Sequence, residues 1–392
     1  MRITTKKRFA YGVLATALTF GTAATVLAPA AQATAVQSAK AGNTSVTPHI
    51  SDASAVRNAD GSYGLSWTKS AATKLVVIYA TTDADADGSD AGIVGEITLG
   101  SSTTVTGLDP AKRWYFELVP ANDYRRGMPV AVRGLGLATA PNARDLGGYE
   151  TTDGRFVRWG QVYRTDALGK TTPADVAKLG NLKLKQSIDF RTPTEVASDH
   201  ADVLPAGVNA VAKPIDDHGL FNTMMGAIGS KDPVKQQEML GNGNAENLLK
   251  EIYASFVTDP ASRAQFGDTL RSIATGDTTL FHCTSGKDRT GWMAYILLTA
   301  LGVSDADAKA DYMLTNDYRA AADKAQREGL KQAGIMENPD LLIPLQGVSL
   351  DYLQSALDAV KAEYGTVDAY ITQGLGIDAA TVAKLKKNLL IK

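Results

Sequence analysis

The residues Phe281-His282-Cys283-Thr284-Ser285-Gly286-Lys287-Asp288-Arg289-Thr290-Gly291 join a strand pattern, Thr278 to His282, to a strongly apolar helical pattern, Gly291 to Leu301. Five residues separate Cys283 from Arg289. A loop that short, with Ser285 and Gly286 inside it, can curl so that its backbone N–H groups point inward. The positive end of the following helix then completes an anion nest. Arg289, on the first helical turn, can fold back and grip two phosphate oxygens. The same field favours a thiolate, so Cys283 is expected to have a lowered pKa, in the range of about 3.5–7.5. Thr290 can donate its hydroxyl to the sulfur. A thiolate beneath a bound phosphate is placed for in-line attack on phosphorus. Free cysteine is often an inert core thiol, but a core thiol has no need of a Gly-containing loop with Lys287, Asp288 and Arg289 within six residues.

Around this loop the pattern is alternating. Thr172-Pro173 and Thr192-Pro193 each open a helix with a cap and a proline at the first position. Gln186 to Phe190 reads as a buried strand, and Ser349 to Lys392 as three helices with breaks near Gly365 and Gly376. From about Ala138 onward this predicts an α/β layer fold with a largely parallel sheet. Leu220-Phe221, Met224-Met225 and the polar stretch Lys231 to Asn247 could form a mobile lid.

Upstream, from about Ser45 to Leu137, short strands alternate with turns: Tyr63 to Trp67, Leu75 to Tyr79, Glu96 to Leu99, Thr103 to Thr106, Trp114 to Val119 and Pro129 to Val132. That rhythm predicts a small all-β sandwich. Asp83, Asp85, Asp87 and Gly88 imitate the start of a calcium loop, but Val94 stands where the bidentate Glu is required, so the segment reads as a solvated acidic hairpin loop. Gly134-Leu135-Gly136 imitates a dinucleotide loop. Thr139 replaces its third glycine and no helix follows, so it reads as a linker.

The first 35 residues have a different character. Arg2, Lys6, Lys7 and Arg8 precede an apolar stretch from Phe9 to Leu27, then Pro29 and small residues ending at Ala33 or Ala35. This layout predicts a cleaved secretory signal peptide. Cleavage moves the net charge from -2 to about -6. No later stretch is long and apolar enough to span a membrane. The balance of 40 basic and 42 acidic residues argues against a non-specific nucleic-acid binder. The single cysteine excludes an internal disulfide framework, and the four scattered histidines give no His-rich metal site.

Two resemblances follow from these residues. Thr106-Gly107-Leu108-Asp109-Pro110 with Trp114-Tyr115-Phe116 resembles the fibronectin type III pattern, with Trp114 at the corner position and Tyr115 one later. It implies an adhesion or spacer module whose partner is unknown. His-Cys-x5-Arg-Thr-Gly resembles the signature loop of cysteine-dependent protein tyrosine phosphatases, in the bacterial tyrosine/lipid phosphatase branch. Asn142 to Gly148, Val162-Tyr163-Arg164-Thr165 with Leu168, Ile188 to Arg191 with Glu195, Asp311 to Asn316, and Tyr364-Gly365, Tyr370 and Leu375 to Ile377 resemble further segments of that branch, in order. The resemblance implies an α/β, tyrosine phosphatase-like layered fold with a central mostly parallel sheet over 138–392; the sandwich read over 45–137 and the signal peptide read over 1–35 precede it.

It also implies a phosphatase with no cofactor, and the leader makes that phosphatase a secreted one. Cys283 attacks phosphorus to form a phosphocysteine, Arg289 and the loop residues Thr284, Ser285, Gly286, Lys287 and Thr290 hold the phosphate, and a general acid protonates the leaving oxygen before water releases phosphate. The acid is open. The family usually carries it on a separate loop beside Trp and Pro, and no Trp-Pro-Asp occurs here. Asp288 ranks first, Asp189 second, and Asp216 and Asp217 third. Arg144 and Asp145 read as an ion pair pinning a loop, and His282 as a group that tunes the thiolate through a backbone hydrogen bond. Lys287 either suits a substrate with several phosphates or braces the loop. Phosphotyrosine proteins lead as substrate, with dual specificity or phosphoinositides also open. The rivals are an inositol-polyphosphate phosphatase, a sulfurtransferase, and a phosphate-binding or adhesion module that has lost catalysis.

Overall fold

A computed structural model describes residues 47–84, 98–123 and 127–391 of the chain. The signal peptide and Asp85 to Gly88 of the acidic loop lie outside the described residues. Asp83 is exposed and pairs with Lys183.

Strands β1 (Ile50–Arg57), β2 (Tyr63–Lys69), β3 (Val76–Thr81), β4 (Ser102–Val105), β5 (Tyr115–Pro120) and β6 (Met128–Ala131) form two antiparallel sheets, ordered β1-β2-β4 and β3-β5-β6. Side chains alternate across a strand, so Tyr63, Leu65 and Trp67 of β2 and Val76, Ile78 and Ala80 of β3 turn inward, with Phe116 and Leu118 in the same core. The Trp114 indole Nε1 donates to the Asp109 carbonyl at 2.9 Å. A tryptophan thus makes the backward hydrogen bond that a tyrosine makes in a tyrosine corner.

The second layer is built on β7 (Arg144–Asp145), β8 (Phe156–Val157), β9 (Val162–Thr165), β10 (Gln186–Asp189), β11 (Asn209–Ala212) and β12 (Thr279–His282). Its main sheet runs β11-β10-β12-β9-β7, with the first four parallel and β7 antiparallel at one edge. Central β12 is buried at every position. The carboxyl ends of β9, β10 and β12 therefore converge, and ligands of open α/β sheets bind at such ends.

Helices α1 (Pro173–Gly180) and α2 (Pro193–Asp199) start where the sequence places them. Thr172 accepts the Asp175 amide, and Thr192 forms a capping box with Glu195. Helix α3 (Leu220–Ser230) is followed by α4 (Pro233–Leu240), α5 (Asn244–Thr258), α6 (Pro260–Ile273), α7 (Arg289–Leu301) and the long α8 (Asp305–Gln332). Helix α7 is buried along its length except at Thr299, which explains its apolar composition. Short α9 (Ile343–Gln346), α10 (Leu350–Tyr364), α11 (Val367–Ala369) and α12 (Ala379–Leu389) end the chain, and β13 (Leu390–Ile391) pairs with β8. Gly365 and Gly376, the two expected breaks, have positive φ, which glycine adopts without strain. No helix among the described residues is long and apolar enough to cross a membrane.

The polar stretch Lys231 to Asn247, part of the segment read as able to form a lid, takes regular structure. It is helical over most of its length, with Asp232 capping α4. Gln236 is buried and donates to the Ala227 and Ile335 carbonyls, while Leu220 and Met224 of α3 pack on the main core.

A correction concerns Arg144 and Asp145, adjacent on β7, whose side chains leave opposite faces of the strand. Arg144 pairs with Asp311 of α8, and Asp145 with Arg113 of the sandwich at 2.8 Å. Asp145 also accepts the Gly147 and Gly160 amides. Beside it Tyr115 and Tyr163 meet hydroxyl to hydroxyl at 3.1 Å, and Tyr115, Ala131 and Trp159 form a small shared core. The two layers therefore share a buried ion pair and belong to one compact unit. Removing one partner of a buried pair leaves the other uncompensated. Asp145→Ala is expected to lower unfolding stability by about 3–5 kcal/mol, measured by urea unfolding. Sandwich and sheet tryptophans should report one transition.

Candidate active site

Cys283 lies just past the end of β12 and is 2% exposed. The next four carbonyls all turn away from the loop's centre. Cys283 O lies 3.2 Å from His282 Nδ1, and Thr284 O accepts the Ala167 amide at 3.0 Å. Ser285 O accepts Asn142 Nδ2 at 3.2 Å and Arg319 Nη1 at 3.3 Å. Gly286 O accepts Asn142 Nδ2 at 2.9 Å and Arg164 Nη2 at 2.8 Å. Across a trans peptide the N–H points opposite to the C=O, so the amides of Thr284, Ser285, Gly286 and Lys287 face inward. None of them donates to a protein acceptor among the described residues. Buried amides left without partners call for a ligand, and here they converge at the start of α7.

Gly286 is required at its place. Its φ is +61°, and a Cβ there would come within 2.3 Å of the Thr165 carbonyl oxygen. Behind the loop, Arg144 and Arg164 flank the single carboxylate of Asp311. Burial works against that carboxylate, but the two guanidinium groups outweigh it and hold its pKa well below the usual range. Two cations against one anion leave a positive field behind the nest.

Arg289 is anchored by Glu195, the capping-box residue of α2. Its Nη1 donates to Glu195 Oε2 at 2.8 Å and to the Phe190 and Ile215 carbonyls, and its Nη2 donates to Glu195 Oε1. Glu195 Oε1 also accepts the Thr284 hydroxyl. Burial would raise the Glu195 carboxyl, but Arg289 outweighs it and brings it down to about 2. Of the five guanidinium N–H groups, those left over are on Nε and Nη2, the side-on fork that grips two oxygens.

Asp288 is buried, and its carboxylate does not cap α7. Its Oδ1 accepts Lys287 Nζ at 2.9 Å and the Tyr253 hydroxyl at 3.1 Å. The Lys287 ammonium, 3% exposed, is thus spent bracing its neighbour. Asp189 is differently placed. Both its oxygens are clamped by Arg191, which also bonds Asp202. Asp189 is thus ion-paired to a guanidinium, as Asp288 is to the Lys287 ammonium. The exposed Asp216 accepts the His218 amide, and Asp217 accepts the Gly219 and Phe221 amides at the start of α3. Thr290 is also corrected: its hydroxyl is buried with no partner, so the expected bond to sulfur is not formed.

His282, Asp189 and Asp202 bring ligand-type atoms within 4.8 Å of one another. Arg191 fills the role a cation would have there. His282 Nε2 lies 2.7 Å from Asp202. Burial opposes its positive charge, but Asp202 outweighs it and raises the pKa. The two ring nitrogens thus lie against Asp202 and the Cys283 carbonyl. Glu195 was quoted in the sequence only as part of a segment, and Asp202, Arg319 and Tyr253 carried no local signal at all.

The comparisons agree with this geometry. Residues 135–391 match a family model described as the tyrosine phosphatase family. The chain is similar to a putative tyrosine-protein phosphatase of Cupriavidus necator, 33% identical over 247 residues, covering 63% of this chain and 85% of that protein. It is 25% identical over 275 residues to the triple specificity protein phosphatase PtpB of Mycobacterium tuberculosis, covering 65% and 98%. A tyrosine-protein phosphatase of Nostoc commune is 29% identical over 233 residues, covering 58% and 73%.

Two outcomes are expected. Gly286→Ala should turn the loop amides out of register and remove oxyanion binding, read as loss of vanadate inhibition and of turnover. The folded pKa of Glu195, about 2, lies below its ordinary 4.5. Its contribution to stability is therefore complete above pH 4.5, declines as pH falls, and is gone below about 2. Urea unfolding at stepped pH should show a shallower acid decline in Glu195→Gln across that window.

Proposed function

Since the chain belongs to the tyrosine phosphatase family and is a protein-tyrosine phosphatase, we propose that it works through a phosphocysteine on Cys283. The observation that carries this reading is the ring of inward amides around that sulfur, with every carbonyl from Cys283 to Gly286 fastened outward. The thiolate electron pair forms the S–P bond while the P–O ester bond breaks, and its electrons leave with the substrate oxygen. That oxygen takes the proton of Asp288. Loop amides and the Nε/Nη2 fork of Arg289 meet the charge developing on the equatorial oxygens. Water then attacks phosphorus and gives its proton to the Asp288 carboxylate, and the P–S electrons return to sulfur.

Phosphotyrosine in proteins is the leading substrate, with phosphoserine, phosphothreonine and phosphoinositides behind it. An inositol-polyphosphate enzyme wants free cations around the nest, and Lys287 is committed to Asp288. Intact Cys283 and Arg289 speak against a binding module that has lost catalysis, and Arg289-Thr290 at the helix start against a sulfurtransferase. We also read the chain as secreted, on its charged and apolar leader with small residues at Ala33 and Ala35. The β1-β2-β4 and β3-β5-β6 orders and the Trp114 corner bond support a fibronectin type III-like reading of the sandwich.

Protein lacking residues 1–35, assayed in EDTA on a phosphotyrosine peptide and on mono- and polyphosphorylated inositides, tests this function. Turnover should persist in EDTA, vanish in Cys283→Ser, and fall by ~10²–10⁴ in Asp288→Asn. Turnover surviving Cys283→Ser would contradict the mechanism, and preference for polyphosphorylated inositides would contradict the substrate order.

A further inference from the structure

Two buried tyrosines from distant helices stand in line behind Asp288. Tyr253 of α5 and Tyr312 of α8 are both fully buried, and their hydroxyls meet at 2.8 Å. Tyr253 reaches Asp288 Oδ1 at 3.1 Å, and Tyr312 lies 3.3 Å from the Ser349 carbonyl. The Tyr253 ring is wedged among Phe256 at 5.2 Å and Tyr312 and Tyr352 at 6.2 Å, so its hydroxyl has little freedom to move.

Counting protons orients this chain. A phenol has one hydrogen to donate. Tyr253 gives its hydrogen to Asp288 Oδ1, so at the 2.8 Å contact Tyr312 is the donor, its one hydrogen shared between the Tyr253 oxygen and the Ser349 carbonyl. Burial first, and then the Asp288 charge, lift the Tyr253 pKa well above its ordinary value. Tyr253 therefore stays protonated through the working pH range and donates throughout it. Lys287 Nζ donates to the same Oδ1 at 2.9 Å. A carboxylate oxygen has two lone-pair sites, and at Oδ1 both are filled. Oδ2 has no partner among the described residues.

We propose that Tyr253, backed by Tyr312, is a positioning residue for proton transfer, confining the transferable proton of Asp288 to Oδ2 and aiming it at the leaving oxygen. The proposal rests on Asp288 being the general acid. The proton leaves Oδ2 for the ester oxygen as the P–O bond breaks, and returns to Oδ2 from the attacking water. Tyr253 and Lys287 keep their protons at both steps.

Leaving-group dependence separates this role from a structural one, because an acid matters most when the leaving oxygen is strongly basic. The test compares kcat/KM for phenyl phosphate, a poor leaving group, and for 4-nitrophenyl phosphate, a good one, in the wild type, Tyr253→Phe, Asp288→Asn and the double variant. Phenylalanine keeps the ring packing, and an unchanged thermal melt establishes that the variant is folded. Tyr253→Phe should lose ~10-fold or more on phenyl phosphate, the worth of one hydrogen bond to a charged group, and less than ~3-fold on 4-nitrophenyl phosphate. In the Asp288→Asn background the same substitution should cost nothing further. Equal losses on both substrates, no loss on either, or a full further loss in the double variant would overturn the proposal while leaving Asp288 as the acid. If Asp288→Asn itself shows no preference for poor leaving groups, Asp288 is not the acid, and the proposal for Tyr253 falls with that assignment.

Discussion

The outward fastening of four consecutive carbonyls is the constraint on which the site depends. A short loop between β12 and α7 could adopt many shapes. This one is held because Asn142, Arg164, Arg319 and the Ala167 amide each take a carbonyl from behind. Strongly hydrogen-bonding backbone groups must be satisfied when buried, and the protein satisfies only one half of each peptide. The other half is left facing the space above Cys283. Oxyanion binding is thus a consequence of how the back of the loop is packed.

That packing reaches across the molecule. Asn142 is oriented by Arg144, Arg144 by Asp311, and Asp311 also holds Arg164. On the other face of β7, Asp145 ties the same short strand to Arg113 of the sandwich. The sandwich is therefore packed against the edge strand that orients the loop. On the far side, Glu195 closes the cap of α2 and plants Arg289 with the same carboxylate. Preorganised groups of this kind cost no reorganisation at the moment of reaction.

The sequence makes the local part of this plan legible. Five-residue spacing, Gly286 and the apolar helix after Arg289 are neighbours in the chain, and so are the Thr-Pro helix starts. Alternation showed the strands of the sandwich because one face of each sheet is buried. Partners brought together by tertiary topology are another matter. Arg144 meets Asp311 across 167 residues and Arg289 meets Glu195 across 94. Adjacency suggests Arg144 with Asp145, but the alternating faces of a pleated strand send the two side chains apart. Nor does the composition of the polar segment around Gln236 reveal that two carbonyls await its buried amide. The clamp on Asp189, Arg191, lies two residues on, with nothing in the pattern to show that it turns back.

Chemical trapping at the sulfur tests the central claim most directly. Protein mixed with a saturating phosphotyrosine peptide, quenched in acid within the first turnover and digested, can be read by mass spectrometry for the residue that carries phosphate. The geometry predicts phosphate on Cys283, formed no more slowly than the peptide is dephosphorylated. Dephosphorylation with no phosphate on Cys283 at any quench time, or with phosphate on another side chain, would contradict it.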